Sequence, residues 1–193
     1  MSTRRDIIVI GASTGGLEAL RHISSSLSCD LPASILVVLH TSPQSPRLLA
    51  GILQNYTSLG VEYGGHGGQI KTGCMYIAPP DRHMVVVCPS LLGLDSGPKV
   101  HYARPAVDRL FESAARHYGP RTIGVVLTGG NCDGTEGLRR IKEAGGLCIV
   151  QHPAGARKPD MPMSALRGAS PDFCVSLEEL GPLLTRLVES NGS

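Results

Sequence analysis

Residues 6–16 read DIIVIGASTGG, an apolar run that stops at a serine flanked by glycines. Residues 6–10 are short, β-branched and bounded by turn residues, the pattern of a fully buried strand. In residues 17–27 the apolar side chains fall at Leu17, Leu20, Ile23 and Leu27, the spacing of one helix face. Gly11-Ala12-Ser13-Thr14-Gly15 therefore occupies a strand-to-helix turn and matches G-x-S-x-G, the pattern of a serine nucleophile on a sharp turn. The glycines permit the tight turn that lifts the hydroxyl off the strand end. The free N–H groups at the helix start can then stabilise an oxyanion.

Two other readings of this turn stay open on the motif alone: a nucleotide-binding loop and a plain tight connection. The dinucleotide fingerprint wants glycine where Ser13 stands, and an acidic residue at the end of the second strand. Here that strand, residues 35–39, ends at His40. A phosphate-binding P-loop has the spacing at Gly11 and Gly16 but Leu17-Glu18 in place of lysine and a hydroxyl residue.

At 193 residues the chain is expected to form a single catalytic-type domain over residues 1–193. Its net charge of +2, with no basic run and no set of stacking aromatics, argues against a nucleic-acid partner. No apolar stretch approaches the length of a membrane helix, and no hydrophobic segment of a signal peptide follows the arginines of MSTRRD. Cys29, Cys74, Cys88, Cys132, Cys148 and Cys174 lie far apart without zinc spacing, so free thiols in a reducing cytoplasm are expected. Metal binding is not supported, and His66, His83 and His101 fall on no ligand spacing.

Strand-like runs alternate with helix-like ones along the whole chain. Strands are expected at 34–39, 61–63, 75–78, 84–88, 122–127, 147–151 and 173–175. Helices are expected around Leu48 to Leu53, over 106–117 with Pro105 in its first turn, over 135–144, and over 177–189 capped by Ser176. Residues 89–97 and 153–169 read as turn-rich, and a small hairpin between 84–88 and 100–102 is expected. The alternation predicts an α/β fold of three layers, a doubly wound, mostly parallel, Rossmann-like sheet covered on both faces.

In such a sheet, ligands bind outside the carboxyl ends of the strands. Ser13 follows the first strand, His40 the second, Asp133 lies in the loop after 122–127, and His152 follows 147–151. A hydroxyl nucleophile, a base and a carboxylate to orient the base thus converge on one edge. Each also has a structural reading: His40 as a strand-end histidine, Asp133 as the cap of the helix starting near Thr135, and His152 as a turn residue before Pro153. His152 is also the rival base, and Cys132 reads as an incidental thiol.

The order serine, histidine, aspartate differs from that of the α/β-hydrolases. The sequence instead resembles the catalytic domain of the bacterial chemotaxis protein-glutamate methylesterases, the CheB-type enzymes. The resemblance is carried by IGASTGGLEALR (10–21), LH (39–40), GCMYIAPPDRHM (73–84), RPAVDRLFESAA (104–115), GVVLTGGNCDG (124–134) and PAGARKPDMPMSAL (153–166). It implies Ser13 as nucleophile, His40 as base, Asp133 as orienting carboxylate, and the backbone N–H groups of Thr14 and Gly130 as oxyanion donors. It also implies hydrolysis of glutamyl methyl esters on chemoreceptor signalling helices, deamidation of glutamine in some members, and no cofactor. The Ser13 hydroxyl and the His40 ring are then expected within hydrogen-bond reach.

The chain departs from the family pattern at TGGNCDG, where TGMGxDG is usual, at HTSPQSP after His40, and at GGHGGQ, which lacks an acidic residue. Only five residues precede Asp6, where the phosphorylatable receiver domain of two-domain relatives would stand. The chain is therefore expected to be either a stand-alone member or a piece of a longer protein, and to be active without phosphorylation. Two other classes compete: a non-catalytic receptor-binding module of the same fold, and a nicotinamide-dependent oxidoreductase. The latter lacks Tyr-x-x-x-Lys, since Gly60, Gly67, Pro80, Ala106 and Thr122 stand four residues after the tyrosines. The oligomeric state has no sequence signature.

Overall fold

The first apolar run forms β1 (Ile7–Ala12), whose six residues are all buried. It lies between β2 (Ser34–Leu39) and β7 (Thr122–Val126) and pairs parallel with both, Ile8 facing Ile35 on one side and Ile123 on the other. With β3 (Gly60–Tyr63), β4 (Cys74–Ile77), β8 (Leu147–Gln151) and β9 (Phe173–Val175), they make a seven-stranded parallel sheet of order β3-β4-β2-β1-β7-β8-β9. The computed structural model describes residues 4–190; residues 1–3 and 191–193, and with them part of the MSTRRD segment read above, lie outside the described residues.

The strand period of two splits the core into two layers. Ile7 and Val9 pack with Phe111, Leu138 and Met161, from α3 (Val107–Tyr118), α4 (Thr135–Glu143) and α5 (Asp160–Ala169). Ile8 and Ile10 face the other way, onto Leu20, Leu53 and Leu184 of α1 (Gly16–Ser26), α2 (Leu49–Gln54) and α6 (Leu177–Glu189). The strand order reverses beside β1, so the carboxyl ends of β1, β2 and β7 meet at the switch point of the sheet, the position where open α/β sheets bind ligands. Among the described residues no helix is long and apolar enough to cross a membrane.

The structure corrects the sequence reading in three places. The small antiparallel sheet joins β5 (His83–Cys88) to β6 (Leu91–Asp95), and residues 100–102 are not its second strand. Pro89, Ser90 and Gly93 disguised β6, yet Leu92 is fully buried, and the hairpin is tied to α3 by Val86 N–H to Ser113 Oγ at 3.0 Å. Helix α5 occupies part of the segment read as turns. Pro159 is its N-cap and Pro162 sits in its first turn, where a missing N–H costs no intrahelical bond, and Met161, Ala165 and Ala169 bury one face. Helix α3 begins at Val107, with Pro105 before it, because its first N–H groups are claimed by a side chain described below. At α6, Ser176 is the N-cap as expected, and its N–H donates to Glu179 Oε2 at 2.8 Å.

Candidate active site

Ser13 comes directly after β1, and its N–H donates to Thr128 O at 2.9 Å, which joins the serine turn to the loop after β7. Thr128 strengthens that join: its hydroxyl donates to Thr14 O at 2.8 Å, while its own N–H donates to Gln151 Oε1 at 2.9 Å. Gln151 is buried at the carboxyl end of β8. Gly15 has φ +82°, a left-handed conformation that glycine adopts without steric cost. A side chain on Gly129 would overlap Met161 and bring its Cβ to 2.9 Å from Ser13 Cβ, so this glycine lets the second loop press against the serine.

His40 extends the β1–β2 pairing by one step, its N–H donating to Ala12 O at 3.0 Å. Its ring is largely buried and places Nε2 2.8 Å from Asp133 Oδ2. With that carboxylate ionised, Nε2 carries the proton and Nδ1 keeps the lone pair. The expected hydrogen bond between the Ser13 hydroxyl and His40 is not formed: among the described residues the two side chains make none. Catalytic contacts of this kind commonly tighten only when substrate binds.

Asp133 is fully buried and does not cap its own helix α4, as the structural reading of it held. It caps α3 instead, accepting the N–H of Val107 at 2.7 Å and of Asp108 at 2.9 Å. Burial alone would raise its pKa. The His40 bond and the N–H donors of Asp108 and Val107 outweigh it and hold the carboxyl below the usual range. Asp108 returns the arrangement: from the first turn of α3 its Oδ1 accepts Gly134 N–H at 3.0 Å and Gly137 N–H at 2.7 Å, at the start of α4. Burial and the neighbouring Asp133 charge push Asp108 up to about 6.

The rival histidine stands outside this network. His152 is exposed, and its Nδ1 accepts Ala154 N–H at 3.3 Å, the turn role considered for it. The N–H groups of Thr14 and Gly130 donate to no protein acceptor among the described residues, and both residues are exposed at the edge where Ser13 lies. A Cβ on Gly130 would meet nothing within 4 Å.

Sequence reasoning missed Asp108, Thr128, Gln151 and His101 as members of the site. Gln151 had a signal, a polar residue closing an otherwise apolar strand on the ligand-binding edge. His101, Asp108 and Asp133 bring one ligand-type atom each within 4.8 Å of one another, a juxtaposition that their spacing in sequence does not reveal. All four carboxylate oxygens there are engaged by backbone N–H groups or histidine nitrogens, which is hydrogen-bonding chemistry rather than an open metal cradle.

Comparison with known proteins gives a consistent result. A family model described as CheB methylesterase matches residues 8–184. A putative protein-glutamate methylesterase/protein-glutamine glutaminase of Leptospira interrogans is 37% identical over 186 residues, covering 96% of both chains. A protein-glutamate methylesterase/protein-glutamine glutaminase of Methanosarcina mazei is 36% identical over 191 residues, which are 95% of this chain and 52% of that one, so the chain spans about half of that relative. The crystal structure of the Thermotoga maritima CheB methylesterase catalytic domain superposes with a TM-score of 0.92 at 34% identity, covering 96% of this chain and all of that one.

Proposed function

The chain belongs to the CheB methylesterase family of ester hydrolases, and from that membership we propose that it removes methyl groups from glutamyl methyl esters on the cytoplasmic helices of chemoreceptor-like proteins. Glutamine side chains at such positions are a second substrate class, deamidated by the same steps. Residues 1–193 are read as one catalytic unit.

In this reading Ser13 Oγ attacks the ester carbonyl while His40 Nδ1 takes its proton. Asp133 stays ionised and stabilises the imidazolium through Nε2, and the Thr14 and Gly130 N–H groups receive the oxyanion. His40 then protonates the departing methoxide, giving methanol, and a water activated by the same ring releases the glutamate and frees Ser13. Nucleophile, base and donors all come from the chain, so no cofactor is required.

The observation that carries the reading is the His40 Nε2–Asp133 Oδ2 contact of 2.8 Å, with Asp133 buried and its oxygens held by two further N–H groups. A carboxylate so held orients one specific ring, on the edge where the G-x-S-x-G serine emerges. The test is methanol release from a carboxyl-methylated chemoreceptor fragment. Steady release by the purified protein is expected, and no release above background would overturn the reading.

A further inference from the structure

We propose that Cys132 is an activated thiol, served by His101 and Asp108 as base and orienting carboxylate, and that it is the site at which peroxides oxidise this protein. Cys132 Sγ lies 3.5 Å from His101 Nδ1, and His101 Nε2 lies 3.2 Å from Asp108 Oδ2. Asp108 has its other oxygen fixed by the Gly134 and Gly137 N–H groups, so Oδ2 is the oxygen left for the ring. When Nε2–H donates to that carboxylate, Nδ1 presents its lone pair to the thiol. The ring can take the sulfur's proton, and the carboxylate stabilises the resulting imidazolium.

The same logic, an imidazole bridging a nucleophile and a buried carboxylate, underlies the proposed serine site, yet this inference does not depend on the esterase reading. Cys132 is exposed to solvent, as are Cys29, Cys88 and Cys174. Among the described residues none of those three is hydrogen-bonded to a histidine, so the arrangement separates Cys132 from thiols of equal access.

In the reaction with hydrogen peroxide the thiolate sulfur attacks one oxygen and the O–O bond breaks. The departing hydroxide takes the proton held on His101 and leaves as water. Sulfur loses two electrons and becomes a sulfenic acid, while the peroxide is reduced.

The test is the rate of alkylation of each cysteine by limiting iodoacetamide at neutral pH, read by peptide mass spectrometry on the native protein. Cys132 is expected to react about ten-fold faster than Cys29, Cys88 and Cys174, and to fall to their rate in His101→Ala. Peroxide followed by dimedone is expected to label Cys132 in the parent protein and about ten-fold less in that variant. His101→Asn replaces the alanine variant should the latter lose its native circular dichroism. A Cys132 rate within about two-fold of the other exposed cysteines, or one unchanged by loss of the His101 ring, would overturn the proposal.

Discussion

Asp133 and Asp108 cap each other's helices. Asp133, which precedes α4, accepts the first N–H groups of α3, and Asp108, in the first turn of α3, accepts those of α4. Each carboxylate thus sits at the positive end of a helix dipole, where negative charge is favoured. The consequence for the site is that the acid facing His40 is fixed by the packing of two helices rather than by a mobile loop. Its geometry is inherited from the core that Phe111 and Leu138 build between α3 and α4.

His40, and not His152, should carry the proton traffic. Replacement of His40 by alanine is expected to lower kcat for methanol release by about three orders of magnitude or more, and His152→Ala by less than about ten-fold. Steady-state kinetics on the two variants decide the assignment, and the reverse ranking would move the base to His152.

The paired carboxylates should leave a signature in the pH dependence of stability. Asp108 is pushed up to about 6, so the folded protein holds this proton more tightly than the unfolded chain does. Its contribution therefore favours folding at low pH and is lost as pH rises from about 4 to about 6, a loss of about 2 kcal/mol. Asp133, held down, acts oppositely, and its contribution is lost as pH falls below the ordinary carboxylate range. Urea unfolding of the parent protein and of Asp108→Asn at pH 4 and pH 7 isolates the first effect. The parent should lose about 2 kcal/mol more than the variant over this interval, and equal losses would contradict the environment described for Asp108.

The two adjacent glycines of the TGGNCDG loop should respond differently to side chains. Gly130 has open space around its Cβ position and no left-handed φ, so Gly130→Met, which restores the usual family residue, should fold normally and keep activity within about three-fold. Gly129→Ala would drive a methyl group into Met161 and toward Ser13, displacing the serine turn and lowering kcat by about ten-fold or more. Kinetics with melting curves on both variants check the contrast. Equal effects at the two positions would mean that the Gly129–Ser13 contact does not set the turn.

Much of this architecture is legible in the sequence because it rests on local signals. The β-branched run before Gly11, the apolar spacing after Gly16 and the turn glycines act within a few residues of one another. The rule that ligands gather beyond strand ends offers Asp133 together with both His40 and His152. The family resemblance selects His40, and the structure brings His40 and Asp133 together. What is illegible depends on long-range pairing. That Asp133 caps α3 is a contact across 26 positions of sequence, whereas capping of α4, its own neighbour, is what local reasoning offers. Pro159 and Pro162 hide α5 because their tolerance at a first turn becomes evident only once Met161 and Ala165 are seen to bury a face. The partnership of His101 with Asp108 and Cys132 has no sequence signature, since the three residues come from separate loops and a helix end.

The most direct test of the account is methanol release by Ser13→Ala, measured on protein whose circular dichroism and melting match the parent. Ser13 is partly exposed and its hydroxyl makes no hydrogen bond among the described residues, so its loss should leave the fold intact. The account predicts that release from a methylated chemoreceptor fragment falls to background while the fragment still binds. Release at the parental rate by the folded variant would contradict the serine mechanism and, with it, the roles given to His40 and Asp133.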